Sequence, residues 1–273
     1  SAGWHESGDR QNGYFESEWG YPESWDDAIL QGPHLGVALP MQKQPNETMK
    51  HNQDWVEIDL EALPEDFIPA TAYKPLREEL AAAGEGRDYD EDYGYWVTSD
   101  GDRIRVADTY RIAWRAMAAT TGFRTFYPSV IPPGARHIHG IHTAGPIGDE
   151  DGVLAGAFAA TILNDFLIRS IGLSNLYGPS FENLVCSARG HAKCLLVKEF
   201  LRLNGLTSAY ASIWGSATGL HWDSSVPYRM AEDRRLAQIR IDVAAAIALG
   251  ITADDLCTIY RTPVSYTHLT LPT

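Results

Sequence analysis

The chain has 273 residues, 44% of them hydrophobic and 8 of them Trp, which excludes a disordered chain and allows one large domain or two small ones. Its net charge of -14 argues, taken whole, against a nucleic-acid surface. Its three cysteines, Cys186, Cys194 and Cys257, form no CxxC pair, which excludes a disulfide scaffold or cysteine zinc site and fits a reducing cytoplasm.

The start, Ser1-Ala-Gly-Trp-His-Glu6, has neither the basic nor the apolar stretch of a signal peptide. It also lacks an initiator Met, which points to a true N-terminus further upstream. No apolar run approaches the roughly 18 residues that cross a bilayer. Residues 1–53, rich in Trp, Gly and Pro, read as irregular structure with short strands. Within them Lys43, Gln44, Asn46, Lys50, His51 and Asn52 form a polar, turn-like cluster. Residues 77–102 are acidic and rich in Gly and Tyr, the composition of an exposed loop.

Charge is divided unevenly. Residues 1–102 hold 6 Lys and Arg against 23 Asp and Glu, whereas 103–273 hold 16 against 13. Six arginines (Arg103, Arg105, Arg111, Arg115, Arg124 and Arg136) fall within 103–136, where Asp108 is the one acid. Such a stripe is what phosphate contact needs, but charge alone favours a solvated face paired with the acidic half. Arg105–Thr120 reads as a helix that would place Arg111 and Arg115 on one face. Strands are expected at Thr125–Ile131 and His137–His142 around the Pro132-Pro133-Gly134 turn.

Val153–Ile171 reads as one strongly apolar helix. A helix over His191–Leu203 should stop at Asn204-Gly205, and another over Arg229–Leu249 at Gly250. Thr252 should cap a last helix with Asp254 and Asp255 in its first turn. The expected class is α+β: a mixed region over 1–190, then a mainly helical one over 191–262. Val264–Thr273 resembles a translated sequencing-adapter peptide, so residues 263–273 are set apart as a non-native tail.

Chemistry-bearing motifs are sparse. Ile131-Pro-Pro-Gly134 lacks the Asn or Asp before, and the aromatic after, the two prolines that adenine methyl transfer uses on a flipped base. No glycine-rich strand-to-helix loop suited to S-adenosylmethionine is evident. His137 and His139 could share a strand face near His142, as zinc ligands or as a polar surface. No thiol or carboxylate stands at short ligand spacing from them, so no metal is assigned. No Ser-His-Asp or Cys-His arrangement is legible, and no catalytic residue is assigned.

Several stretches in order carry a resemblance. They are Trp4-His-Glu-Ser7, Ile29-Leu-Gln-Gly-Pro-His34, Lys43-Gln-Pro45, Asp59-Leu-Glu-Ala-Leu-Pro64, Ile68-Pro-Ala-Thr71, Tyr73-Lys-Pro75 and Tyr110-Arg-Ile-Ala-Trp-Arg115. They continue with Arg124-Thr125, Ile131-Pro-Pro-Gly134, Leu201-Arg-Leu-Asn204, Leu206-Thr-Ser-Ala-Tyr210, Leu249-Gly-Ile-Thr252 and Leu256-Cys-Thr-Ile-Tyr-Arg261. Together they resemble the C-terminal, target-recognition region of large restriction–modification adenine methyltransferases, of the type IIG-like and phage-growth-limitation (BREX-like) kinds. The resemblance implies double-stranded DNA as partner, and an upstream methyltransferase domain of the same chain that binds S-adenosylmethionine; this fragment itself would hold no cofactor. Arg111, Arg115, Arg124 and Arg136 are then the candidate phosphate contacts, beside Thr125. Lys43, Gln44, Asn46, His137 and His139 are the candidate base readers, since Arg or Lys pairs with guanine and Asn or Gln with adenine. The alternative is a non-catalytic scaffold of a defence complex, docking through the acidic half and the helical tail. A metal hydrolase built on the histidines ranks third and predicts stoichiometric zinc.

Overall fold

The computed structural model describes residues 3–48, 54–84, 86–118 and 124–262. Lys50, His51 and Asn52 and the 263–273 tail lie outside them. The fold is α+β, with small sheets and ten helices among the described residues.

The first part holds α1 (Gly8–Gln11), β1 (Phe15–Glu16), β2 (Ile29–Leu30), β3 (Lys43–Pro45), β4 (Trp55–Glu57), β5 (Lys74–Pro75), α2 (Arg77–Ala82), α3 (Tyr89–Tyr93), β6 (Tyr95–Val97) and β7 (Arg103–Arg105). The centre is β8 (Tyr110–Arg115), β9 (Pro128–Ile131), β10 (Arg136–His137) and β11 (Ile141–Ile147). Helices follow: α4 (Glu150–Ala159), α5 (Ile162–Ile171), α6 (Gly178–Glu182), α7 (Gly190–Asn204), α8 (Ala211–Thr218), α9 (Ala231–Ala248) and α10 (Ala253–Arg261).

The middle of the molecule is a three-stranded antiparallel sheet in the order β11-β8-β9. Side chains alternate across a strand, so β8 is divided between two environments. Ile112 and Trp114, with Val130 of β9, join the large apolar cluster that contains Phe158, Phe200 and Ile241 of the helices. Ala113, with Ile131 and Ile141 on the neighbouring strands, packs against Leu30 and Leu35 on the opposite face. In place of the helix expected over Arg105–Thr120 there is a 3-10 turn (Val106–Asp108) and then the strand β8; Ala119 and Thr120 lie outside the described residues. Spacing i, i+4 puts two residues on one side of a strand as it does of a helix, so the Arg111–Arg115 pair could not tell the two apart. Burial on both faces also removed the polar alternation that marks a half-exposed strand.

The Pro132-Pro133-Gly134 turn is present, and Gly134 has φ of +92°. A Cβ there would stand 2.8 Å from the Asp26 nitrogen, so the position requires glycine for its conformation and for close approach.

Two other expectations are corrected. The acidic stretch 77–102 is not simply an exposed loop. The Asp88 carboxylate caps α3 by accepting from the Asp90 and Glu91 amides. Tyr89 and Tyr93, four apart, are then buried against Trp4. The apolar helix over Val153–Ile171 is two helices, bent by 58°. Thr161 starts the second, its hydroxyl accepting from the Asn164 amide. Both line the core, and among the described residues no single helix is long and apolar enough to cross a membrane.

The later helices run as their caps dictate. α7 ends at Gly205 and α9 just before Leu249-Gly250. Thr252 caps α10 through the Asp255 amide. α4 and α7 meet at a glycine: a Cβ on Gly156 would lie 2.6 Å from Phe200 Cε1.

Candidate nucleic-acid interface

The sequence-selected arginines are mostly inside. Arg111 is fully buried, with its guanidinium donating to the Ala135 carbonyl and, from Nε, to the Thr109 carbonyl at 3.2 Å. Burial pulls its pKa down, and the Tyr93 hydroxyl opposes that. Arg115 is half-buried and grips the Leu35 carbonyl (2.9 Å from Nε) and Gln42 Oε1 (2.9 Å), with its guanidinium 4.2 Å from the Tyr127 ring centre. Arg136 is 2% exposed, donates to the Asp26 and Gly134 carbonyls and pairs with Asp90.

Arg124 is also 2% exposed and pairs with the fully buried Asp242 at 2.9 Å. Asp242 further accepts from the Ile162 amide and the Tyr260 hydroxyl, so one carboxylate ties α5, α9 and α10 to the segment entering β9. Thr125 belongs to a second such tie. Its amide and that of Phe126 donate to Asp165 Oδ1 at 2.7 and 2.9 Å, while Arg169 donates to its hydroxyl. Burial raises the Asp165 pKa against these hydrogen bonds and the Arg169 charge. Arg111, Arg124 and Arg136 are thus buried struts, committed to carbonyls or carboxylates, that hold β8, β9 and β10 in place.

The candidate readers are dispersed. Lys43 lies 3.8 Å from Glu57 across the β3–β4 hairpin. Gln44 donates to the Tyr21 hydroxyl and accepts from the Ala70 amide. Asn46 reaches Asp54 at 3.4 Å. His137 is fully buried, and burial, helped by the Arg111 charge, drives its pKa well below the usual 6.5. β10 ends at His137, so His137 and His139 do not share a strand face. Among the described residues no group of three or more His, Cys, Asp or Glu is placed to hold a metal ion.

His139 is exposed and lines a surface cleft that gathers basic, carboxamide and aromatic side chains. This cleft holds about 440 Å³ between four remote segments: His5, Glu6, Ser7 and Arg10; Ala116 and Met117; Ile138, His139 and Gly140; and Asn175 and Tyr177. Its walls are set by backbone pairing. The Trp4 amide donates to the His137 carbonyl (2.9 Å), and the His139 amide to the Trp4 carbonyl (2.8 Å). Buried Trp4 anchors that segment by stacking on Tyr14 at 4.5 Å. On the other side Ala118 N–H donates to the Ser174 carbonyl, and Leu176 N–H to the Ala116 carbonyl.

A row of rings joins the cleft residues His5, His139 and Tyr177 through the buried His142: His5 to His139 at 6.3 Å, His139 to His142 at 5.5 Å and His142 to Tyr177 at 5.3 Å. His142 is buried, which lowers its pKa, and the neighbouring His139 lowers it further. His5 Nδ1 accepts from the Gly8 amide (3.1 Å), which leaves its Nε2 as the N–H. Arg10, Asn175 and Tyr177 are exposed, and Met117 is 74% exposed.

Imidazole, guanidinium and carboxamide groups present donors and acceptors to base edges, and exposed rings offer stacking. Sequence reading found His139 and missed Arg10, Met117, Asn175 and Tyr177. These come from three segments that only the fold joins, and no local pattern marked them. Compared with protein-family models and with curated proteins, the chain matches none.

Proposed function

We propose that this chain is the target-recognition portion of a site-specific DNA N6-adenine methyltransferase of a restriction–modification or phage-defence system. The observation that carries the reading is the 440 Å³ cleft ringed by His5, Arg10, His139, Asn175 and Tyr177 on rigidly paired backbone. Arg10 supplies charge for a phosphate, and the imidazoles and Asn175 supply base-edge contacts. The resemblance to the methyltransferase C-terminal region supplies the rest of the reading. S-adenosylmethionine and the flipped adenine belong to an upstream domain of the same chain. The setting is the cytoplasm, which suits the exposed free thiols of Cys186 and Cys257.

The test is selection from a random duplex DNA pool at two salt concentrations. Salt-sensitive binding that enriches particular sequences is expected. Arg10→Ala should weaken binding to every sequence and flatten the salt slope by about one. Asn175→Ala should instead relax preference at one base pair, at a cost of about 1–3 kcal/mol. Folded protein that binds no DNA at low salt would remove this reading.

A second reading is favoured by one observation. Leu236, Ile239, Val243 and Ile247 form a stripe along α9 and are each 40% exposed or more. Four apolar side chains at helical spacing suit a protein partner, as in a scaffold of a defence complex. Charged substitution of Val243 and Ile247 together would abolish that docking and leave DNA binding intact.

A further inference from the structure

A second cavity, of about 200 Å³, lies between the chain turn at Val37–Leu39 and α9. Arg124, Arg234, Arg235 and Gln238 contribute to its lining, and no carboxylate does. Arg124 is already matched by Asp242. Arg234 is different. Its guanidinium donates to the carbonyls of Leu203 (2.9 Å), Tyr228 (2.8 Å) and Ala38 (3.1 Å). Three of its five N–H donors therefore meet partial negative charges, and none meets a full one. Burial pulls its pKa from 12.5 to about 10, with no compensating acid. Arg235, exposed at the rim, has no ion pair among the described residues either. Glu232 and Asp233, next to them in sequence, are exposed and make no ion pair with either arginine. Cations collected around a cavity without an acid are the arrangement that an oxyanion completes.

We propose that this niche is an oxyanion site that takes a single phosphate group, held between Arg234 and Arg235. Its volume is below the ~300–1,000 Å³ of drug-sized pockets and suits one tetrahedral anion. Arg234 supplies fixed charge, because its three carbonyl bonds lock the guanidinium. Arg235 closes over the anion from solvent. The phosphate is either free or part of a nucleic-acid backbone; the niche is separate from the histidine cleft and does not depend on it.

The experiment is thermal unfolding of the full chain across a titration of inorganic phosphate, with ionic strength held constant by chloride. Phosphate at about ten times its Kd should raise the Tm by roughly 3 °C beyond chloride. Arg235→Gln, a change at an exposed position, should weaken the apparent phosphate affinity at least tenfold. Arg189→Gln, an exposed arginine outside the niche, should leave it unchanged. Duplex DNA then separates the two sources. A lower DNA affinity for Arg235→Gln, with a salt slope reduced by about one, assigns the phosphate to the backbone. Lost phosphate response with unaltered behaviour toward DNA assigns a free phosphate compound. Equal stabilisation by phosphate and chloride, or an undiminished phosphate response in Arg235→Gln, overturns the site. Absence of DNA binding in every variant bears on the cleft and not on this niche.

Discussion

The two sides of the central sheet bury arginine by different means. On the helical side, Arg124 meets a carboxylate, Asp242, and the pair is surrounded by apolar helices. On the N-terminal side, Arg111 meets carbonyls and the Tyr93 hydroxyl. Both guanidiniums have lost water; Arg111 gives donors to backbone carbonyls, and Arg124 gives one to a carboxylate. The difference is what each leaves behind if removed. Loss of Arg124 strands a full negative charge in the core, whereas loss of Arg111 strands neutral carbonyls. A stranded charge costs far more than an unfilled carbonyl.

The largest expected effect breaks the first of these. Arg124→Met should cost about 3–5 kcal/mol of unfolding free energy, measured by urea titration. Adding Asp242→Asn should recover part of that loss, since the stranded charge goes with it. A double variant no more stable than the single one would mean that the carboxylate is not the source of the penalty.

The N-terminal side has its own charge-sensitive element. His34 is fully buried, with Nε2 3.0 Å from the Ala70 carbonyl and Nδ1 accepting from the Gln31 amide at 2.9 Å. Burial lowers its pKa from 6.5 to about 4, against the pull of its backbone hydrogen bonds. The folded state thus holds the ring neutral while the unfolded chain protonates first. Stability from this residue is complete above pH 6.5 and is lost as pH falls through about 4. The full loss is on the order of 3 kcal/mol. Carboxylates titrate in the same window, so the comparison is with His34→Gln. The gap between the two proteins should close as pH is lowered from 7 to 4, and a gap independent of pH would show that protonation of His34 is not involved.

The same division explains what could be read in advance. On the helical side, α7, α9 and α10 announce themselves through apolar periodicity and through Asn204-Gly205, Gly250 and Thr252 at their ends. The break between α4 and α5 was not legible, because Ala160-Thr161 carries neither glycine nor proline. On the N-terminal side the strands are two or three residues long, too short for any period to show. Their placement depends on contacts between distant residues, such as Trp4 with Tyr14, Tyr89 and Tyr93. The interface suffers most from this. A run of arginines looks the same whether it faces phosphate or carbonyl, and on a helix or on a strand, so charge revealed neither β8 nor the cleft. His139 stood out as a histidine beside others, whereas Arg10 and Asn175 had no neighbours in sequence to mark them.

Arg111 sharpens the contrast with Arg124. Arg111→Met keeps apolar volume, removes a desolvated cation and leaves the Ala135 and Thr109 carbonyls short of a donor. The expected cost is about 1–3 kcal/mol, below that of Arg124→Met measured under the same conditions. Equal costs would mean that the carbonyl cage holds its arginine as firmly as the carboxylate does, and that the two sides are not built differently.

The smallest effect tests how far the Asp242 tie depends on the helix that covers it. Thr252 Oγ1 accepts from the Asp255 amide at 3.2 Å and donates to the Asp255 carboxylate at 2.6 Å, a local closure of α10. Thr252→Ala should cost about 1 kcal/mol, the usual value of such a cap. α10 also delivers the Tyr260 hydroxyl to Asp242, so fraying at its start can reach the Arg124 pair through Tyr260. If it does, Thr252→Ala and Tyr260→Phe will be non-additive, with a coupling of at least ~0.5 kcal/mol. Strict additivity would instead confine the cap to its own helix. The Arg124–Asp242 pair would then be supported by α5 and α9 alone, through the Ile162 amide and the backbone of Asp242 itself.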